Sequence, residues 1–263
     1  MRIVTWNINS VRLRMPIVAQ LTEEVKPDVL CLQETKANDD VFPRDDLVAL
    51  GYEHMLFRGM KGYNGVAILS RLPLEDAGSR DWCGKPDARH VAATLPGGIE
   101  LHNFYVPAGG DEPDPEVNDK FAHKLSFLRE LADWWRDKRD DGARRIMVGD
   151  LNIAPLESDV WSHKQLLKIV SHTPVEVDHL AEVQAAHDWI DAVRHFVPED
   201  EKIYSWWSYR SRDWTANDRG RRLDHIWVTQ SLKPALKSGS ILREARGWEK
   251  PSDHVPVIVD LEA

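Results

Sequence analysis

The stretch IMVGDLN, residues 146–152, opens as a buried strand should, with Ile146, Met147 and Val148 in a row, and then ends on an aspartate and an asparagine. Side chains two apart in an extended chain point to the same side. A strand running through residue 152 would therefore aim Asp150 and Asn152 at one point. The plainer reading is local: Asp150 caps the next element or opens an Asx turn ahead of Pro155. One strand end does not separate these readings, so the rest of the chain has to.

Strands rich in Val and Ile are expected at 2–8, 28–33, 65–70, 90–95, 99–106, 145–150, 223–229 and 254–261. Helical spacing runs over 11–25 (Val11, Ile17, Val18, Leu21, Val25) and 117–138 (Phe121, Leu125, Leu128, Leu131, Trp135). Residues 107–116, PAGGDEPDPE, form a Pro/Gly/acid loop, and 157–187 is weakly patterned, which suggests short helices and loop. Helices and strands are mixed, with no repeat and no linker. The expectation is one α/β domain over 1–263.

At 263 residues and 42% apolar content the chain can bury a sizeable core. Its two cysteines cannot build a disulfide framework, and Cys31 sits in the apolar run VLCLQ, where a small buried thiol fits. A reducing compartment follows. The N-terminus MRIVTWNINS starts a strand at once, and no apolar run reaches the ~20 residues that span a bilayer. This reads as a cytoplasmic protein with no membrane segment. A net charge of −9 excludes a uniformly basic nucleic-acid-binding surface. It does not exclude a local one: residues 202–222 carry six basic side chains (Lys202, Arg210, Arg212, Arg219, Arg221, Arg222) against Asp213 and Asp218, with five aromatics interleaved.

Several strands stop as the first one does. IVTWNIN ends at Asn7 and Asn9, VLCLQETK at Glu34, LHNFYVP at Tyr105; RRLDHIWV carries Asp224, and PSDHVPVIVD begins with Asp253 and His254. Singly, each has a bland account: a cap, a solvated edge, a salt bridge from Glu34 to Lys36, a core histidine at 254. Those accounts do not predict the set of carboxylates, amides, one histidine and one tyrosine, all where strands stop.

The motifs WNINSVR, LQETK, GYNGVAI, NFYVPAG, GDLNIAP, RRLDHIWV and PSDHVPV, in this order over residues 6–257, resemble those of exonuclease III and its relatives, the abasic-site endonucleases of the endonuclease/exonuclease/phosphatase superfamily. No one motif is decisive, since GDxN and SDH recur across the superfamily. Seven in order are. The resemblance implies a four-layer α/β sandwich, two mixed β-sheets face to face with helices outside (DNase I-like), and strands as apolar as GVAILS and PVIVDL suit it. It also implies Mg²⁺, with Mn²⁺ able to substitute, and a substrate of double-stranded DNA with abasic sites or 3′ blocks, cut by a monomer.

The residue types suit phosphodiester hydrolysis, which needs an activated water, charge stabilisation at phosphorus and help for the leaving oxygen. By resemblance the metal site draws on Asn7, Glu34, Asp150, Asn152, Asp253 and His254, with Glu34 the main ligand. Asp150 activates the water, Asn152 donates to the phosphate, and Tyr105 contacts the phosphate or assists the leaving group. His254 donates to a non-bridging oxygen. Consecutive strand residues face opposite sides, which favours Asp224 over Asp253 as the histidine's partner, and the resemblance makes the same assignment. For DNA, KGYNG (Lys61, Tyr63, Asn64) resembles a loop reaching into the duplex, Arg89 joins the binding set, and Arg221 and Arg222 would meet phosphates. Trp206 and Leu223 would wall the pocket for an extruded abasic sugar. Trp207 is left open between pocket and core.

Two features depart from the pattern. Ala108 stands where relatives often carry an amide, and SHKQLLKIVSHTPVEVDHL replaces a FLPEER-like stretch in 160–187. Both put the balance of endonuclease, exonuclease and 3′-phosphatase activities in question, so a nuclease acting mainly as an exonuclease is the alternative. A lipid phosphatase of the same superfamily would lack the Arg/Trp segment at 204–222, and a non-catalytic DNA-binding module would not need Glu34, Asp150 and His254 together.

Overall fold

The computed structural model describes residues 1–139, 141–211 and 213–262; Arg212 lies outside the described residues. Twelve strands are found among them: β1 (Arg2–Asn7), β2 (Val29–Gln33), β3 (His54–Arg58), β4 (Val66–Ser70), β5 (Glu75–Gly78), β6 (His90–Leu95), β7 (Ile99–Tyr105), β8 (Arg144–Asp150), β9 (Ile190–Asp191), β10 (Asp224–Val228), β11 (Leu236–Ile241) and β12 (Val257–Leu261). They form two six-stranded sheets, ordered β11-β12-β1-β2-β4-β3 and β5-β6-β7-β8-β10-β9. Each sheet is mixed: β1 runs parallel to β2 and β7 to β8, and the other pairs are antiparallel. The helices are α1 (Met15–Val25), α2 (Arg44–Ala49), α3 (Asp119–Arg136), α4 (His163–Leu166), α5 (Pro174–Ala186) and α6 (Trp214–Asn217).

The strand alternation sorts the layers. Ile3, Val29, Cys31, Leu101, Ile146, Val148 and Ile226 point between the sheets and bury completely or nearly so. Their neighbours Val4, Trp6, Leu30 and Leu32 face α1 (Ile17, Val18, Leu21), while Phe104, Met147 and Trp227 face α3 (Phe127, Leu128, Leu131, Trp135) and α5 (Leu180, Val183). Strands apolar on both faces need cover on both, which gives the expected four layers.

Followed toward one end, the inter-sheet positions change character. On β1 they read Ile3, Thr5, Asn7; on β7, Leu101, Asn103, Tyr105; on β8, Ile146, Val148, Asp150; on antiparallel β10, Val228, Ile226, Asp224. The register lays Tyr105 and Asp224 on either side of Asp150. A buried amide layer separates the apolar core from this end: Gln33 Nε2 donates to Thr5 Oγ1 at 2.9 Å and to Asn103 Oδ1 at 2.6 Å. Gly149, at φ +144, lets β8 approach β7 here, since a β-carbon would lie 1.9 Å from the Phe104 carbonyl oxygen.

Some elements differ from expectation. Residues 11–13 form a turn and α1 starts at Met15. β12 begins at Val257 rather than 254, because Pro256 has no N–H to give a ladder. The weakly patterned 157–187 region holds the 13-residue helix α5, set by a capping box of Thr173 and Glu176 around Pro174. α2, β3, β5, β9 and β11 had no expectation at all.

Candidate active site

The polar ends converge. Asn7 Nδ2 donates to Glu34 Oε1 and to Asp150 Oδ2, both at 2.8 Å. Glu34 follows β2 directly, and its left-handed backbone (φ +50) breaks the strand there. Its Oε1 also accepts from the Tyr105 hydroxyl at 2.9 Å, and Lys36 Nζ lies 2.8 Å from Oε2. Asp224 Oδ2 binds His254 Nδ1 at 2.8 Å and accepts from Ser205 Oγ at 2.6 Å. Ser252 Oγ, which donates to the Asn7 carbonyl at 2.7 Å and accepts from the His254 backbone N–H at 3.2 Å, fastens the PSDH segment to the end of β1.

Asp150 and Asn152 realise both readings of the opening stretch. β8 ends at Asp150 and Asn152 is left-handed (φ +54), so the strand does not run through residue 152. Asp150 Oδ1 accepts from the Asn152 N–H at 2.9 Å, an Asx turn, and the turn itself delivers the Asn152 side chain to the cleft. Asn152 Nδ2 spends one hydrogen on the Val106 carbonyl at 2.9 Å, which leaves the other free.

Proton affinities diverge. Burial raises that of Asp150, and the nearby charges of Asp224 and Glu34 add to it against opposition from His254 and the Asn7 hydrogen bond. Burial alone would lower His254, but the charges of Asp224 and Asp150 and the Asp224 hydrogen bond outweigh it, so the ring is held protonated. Burial and the charges of Glu34 and Asp150 raise Tyr105 well above the ordinary phenol value. Burial works against ionised Glu34, yet Lys36 and Asn7 lower it overall. His254 Nε2 and Asp150 Oδ2 stand 3.7 Å apart, too far for a direct hydrogen bond and close enough to share an oxygen atom between them.

These donors fit a hard divalent cation. Asp150, Asp224 and His254 could hold an ion, and buried Asp224 Oδ1 has no hydrogen-bond partner among the described residues. His254 Nδ1 and Asp224 are already bound to each other, while Glu34 and Asp150 offer carboxylate oxygens on either side of the Asn7 amide; Asn7, expected as a ligand, turns its N–H groups to them and its Oδ1 to the Asn9 N–H. Asp253, expected at the metal, accepts instead from Asn9 Nδ2 and Trp206 Nε1, both at 3.0 Å, at the cleft's edge.

The cleft holds about 520 Å³ and is lined by the polar groups Glu34, Tyr105, Asn152, Asp253 and His254 together with Val170, Trp206, Arg221 and Leu223. Ala108 also lines it. Arg221 stacks over Trp206 at 5.2 Å and donates to the Val170 carbonyl and Ser171 Oγ. Lys61 and Tyr63 are exposed on their loop.

Two expected DNA contacts, Arg222 and Asn64, are corrected, and a third residue of that set, Arg89, also has partners within the protein. Arg222 is 1% exposed and clamped between Asp159 (2.7 Å) and Asp191 (2.6 Å), so it cannot meet a phosphate. Asn64 is buried and donates to the Asp87 carbonyl, anchoring the loop from inside. Arg89 pairs with Asp87, donates to the Tyr105 carbonyl and stacks over the Tyr105 ring at 4.9 Å, so it braces Tyr105. Trp207, left open, is core. The sequence reading also passed over Ser205 and Ser252. A serine before DH was visible in PSDH, but nothing local marks Ser205.

The profile of the Endonuclease/Exonuclease/phosphatase family matches residues 4–254. Exodeoxyribonuclease III of Haemophilus influenzae is 32% identical over 270 aligned residues, spanning 98% of each chain. An AP endonuclease from Archaeoglobus fulgidus superimposes with TM-score 0.92, and a 3′ phosphatase from Neisseria bound to a product DNA hairpin with TM-score 0.90. Both are 32% identical to this chain, and the match covers 100% of each chain.

Proposed function

The chain belongs to the endonuclease/exonuclease/phosphatase family, and from that premise we propose that it is a DNA-repair phosphodiesterase that cuts duplex DNA 5′ of abasic sites and trims or dephosphorylates 3′ ends. The observation that carries this is Asp150 Oδ2 facing His254 Nε2 across a 3.7 Å gap, with Asp224 behind the histidine, at a cleft lined by Asn152, Trp206 and Leu223. No helix among the described residues is long and apolar enough to cross a membrane, and both cysteines are unpaired thiols. These suit a cytoplasmic enzyme. We read 1–263 as one catalytic domain acting as a monomer.

Asp150 takes a proton from the attacking water, whose oxygen bonds to phosphorus while the bond from phosphorus to the 3′ oxygen breaks. The free Asn152 Nδ2 hydrogen and protonated His254 Nε2 donate to non-bridging oxygens, where negative charge grows. Asp224 fixes the His254 tautomer and favours its charge. Tyr105, kept neutral by its surroundings, would turn its hydroxyl from Glu34 to donate to the leaving oxygen. Glu34 and Asp150, held in place by the Asn7 amide, would hold Mg²⁺ or, as a substitute, Mn²⁺, which would neutralise charge on the phosphoryl oxygens.

Trp206, Leu223 and Val170 form a wall on which a sugar without its base can lie. Ala108 lines the same cleft without a polar side chain, and this favours a second reading in which 3′-end processing dominates. A duplex carrying one internal abasic analogue, incubated with Mg²⁺, tests both. The first reading expects a 3′-hydroxyl product cut at the analogue and no cut in chelator; the second expects shortening from the 3′ ends with the analogue left intact. Cleavage undiminished in chelator would contradict the metal assignment.

A further inference from the structure

The ion pair between Lys124 on α3 and Glu176 on α5 is fully buried, 0% exposed on both sides, and takes no part in the chemistry above. Lys124 Nζ reaches three acceptors: Glu176 Oε1 at 2.5 Å, the Asn152 carbonyl at 2.8 Å and the Ala108 carbonyl at 3.3 Å. Glu176 accepts in turn from the backbone N–H groups of Ser171 and Thr173 and from the Thr173 hydroxyl. One ammonium and one carboxylate thus join the loop after Tyr105, the turn after Asp150 and the cleft wall at 170–173. The fit is close: a β-carbon on Gly109, where φ is +92, would lie 3.0 Å from Lys124 Cδ and 3.1 Å from Val170 Cγ1.

Stability gives a weak reason for such a pair. Desolvating two charges costs about as much as their attraction returns, and an apolar replacement of similar shape is often neutral. Geometry gives a better one. Asn152 is left-handed, a conformation that asparagine tolerates without being confined to it, so the direction of its side chain depends on what fixes its peptide groups. Its N–H is fixed by Asp150 and its amide by Val106; its carbonyl is fixed by Lys124. Without the ammonium the peptide after residue 152 could rotate, and the side chain facing the phosphate would move with it.

We propose that Lys124 and Glu176 are a positioning pair that locks Asn152 and the Ala108 loop in the reactive arrangement. The inference rests on the reading of Asn152 as a phosphate-facing group. Neither Lys124 nor Glu176 lines the cleft, so both act through the groups they hold.

The test is the double variant Lys124→Met/Glu176→Gln, which removes both charges together and keeps their approximate shape. It is compared with wild type and with Val183→Ala, a truncation in the α5 core contact, by thermal midpoint and by kcat and KM on an abasic duplex. A displaced catalytic group can cost on the order of 10²-fold, so kcat should fall by about tenfold or more. KM should stay within about threefold, while Val183→Ala keeps wild-type kcat at an equal or lower midpoint. If the double variant does not fold, Glu176→Asp, which keeps the charges and shortens the reach, should give the same fall in kcat. Wild-type kcat in whichever variant folds overturns the proposal. A wild-type enzyme that leaves the duplex intact overturns the functional reading and the pair's role with it, a separate result from a variant that cuts normally.

Discussion

His254 and the pair His90 and His102 are all buried, yet their two regions of the molecule treat the proton in opposite ways. At the polar end of the inter-sheet layer, His254 lies 2.8 Å from Asp224 and 3.7 Å from Asp150, and these carboxylates raise its proton affinity against the effect of burial. On the outer face of the other sheet, His90 and His102 face each other at 3.2 Å under α3, among Trp82, Trp134 and Trp135. His90 stacks on Phe104 with centroids 4.3 Å apart. There burial wins: it lowers both histidines, His102, Arg58 and Arg80 lower His90 further, Arg145 and Lys138 do the same at His102, and Glu100, 3.5 Å from His102, pulls the other way. Burial by itself makes a neutral, packing histidine. Carboxylates converging from separate strands make a charged one.

The largest effect that sharpens this contrast is on turnover. His254→Ala should lower turnover by ~10² to 10³-fold, the usual cost of removing one donor to a transition-state oxygen, whereas His102→Gln should stay near wild type. Equal losses would erase the distinction.

Burial separates two adjacent arginines as it separates the histidines. Arg222→Gln leaves Asp159 and Asp191 short of a partner, and breaking a buried pair typically costs about 3–5 kcal/mol, readable as a lowered urea midpoint. Arg221→Gln should spare stability by comparison and flatten the salt dependence of DNA binding by up to ~0.9 in slope. An Arg222 variant of normal stability with a flattened slope would reverse the assignment.

The smallest effect is on pH and stability. His90 and His102 bind protons less readily folded than unfolded, where the value is near 6.5. Their contribution is therefore complete above about pH 6.5 and is lost as pH falls below it, by up to ~1.4 kcal/mol per pH unit for each histidine. His254 has the reverse sign: its contribution is complete below that value and is lost only as pH rises. Denaturant midpoints at pH 7.5 and 5.5 should fall with acid in wild type and fall less in His102→Gln. Identical losses would place the acid sensitivity elsewhere.

Much of the site was legible because a two-residue period links side-chain direction to sequence position. Asp150 and Asp224 each continue an apolar inward row, and Asn7 and Tyr105 a row that turns polar at Thr5 and Asn103, so the side each faces follows from the strands, while their sharing of one site followed from the motif resemblance. What escaped depended on partners distant in sequence. Arg221 and Arg222 are consecutive, and only Asp159 and Asp191, supplied from other elements, settle which one turns inward. Lys124 sits in a helix where a lysine normally reads as solvated, and its partner lies 52 residues away. Helix α5 escaped for a different reason: its apolar residues mark no clear stripe, although Thr173, Pro174 and Glu176 spell a capping signal. The edge strand β11, LKSGSI, is polar and owes its form to pairing with β12.

The central claim is that the strand-end carboxylate of IMVGDLN is the base that activates water. The direct measurement is single-turnover cleavage of a duplex with one abasic analogue by Asp150→Asn, in saturating Mg²⁺, with DNA binding followed in parallel. The variant keeps the side chain's shape and can still receive the Asn152 N–H in its turn. The expected result is bound DNA and cleavage slowed by at least ~10²-fold. A variant that binds DNA and keeps a tenth or more of wild-type cleavage would return Asp150 to a turn-forming role and contradict the account.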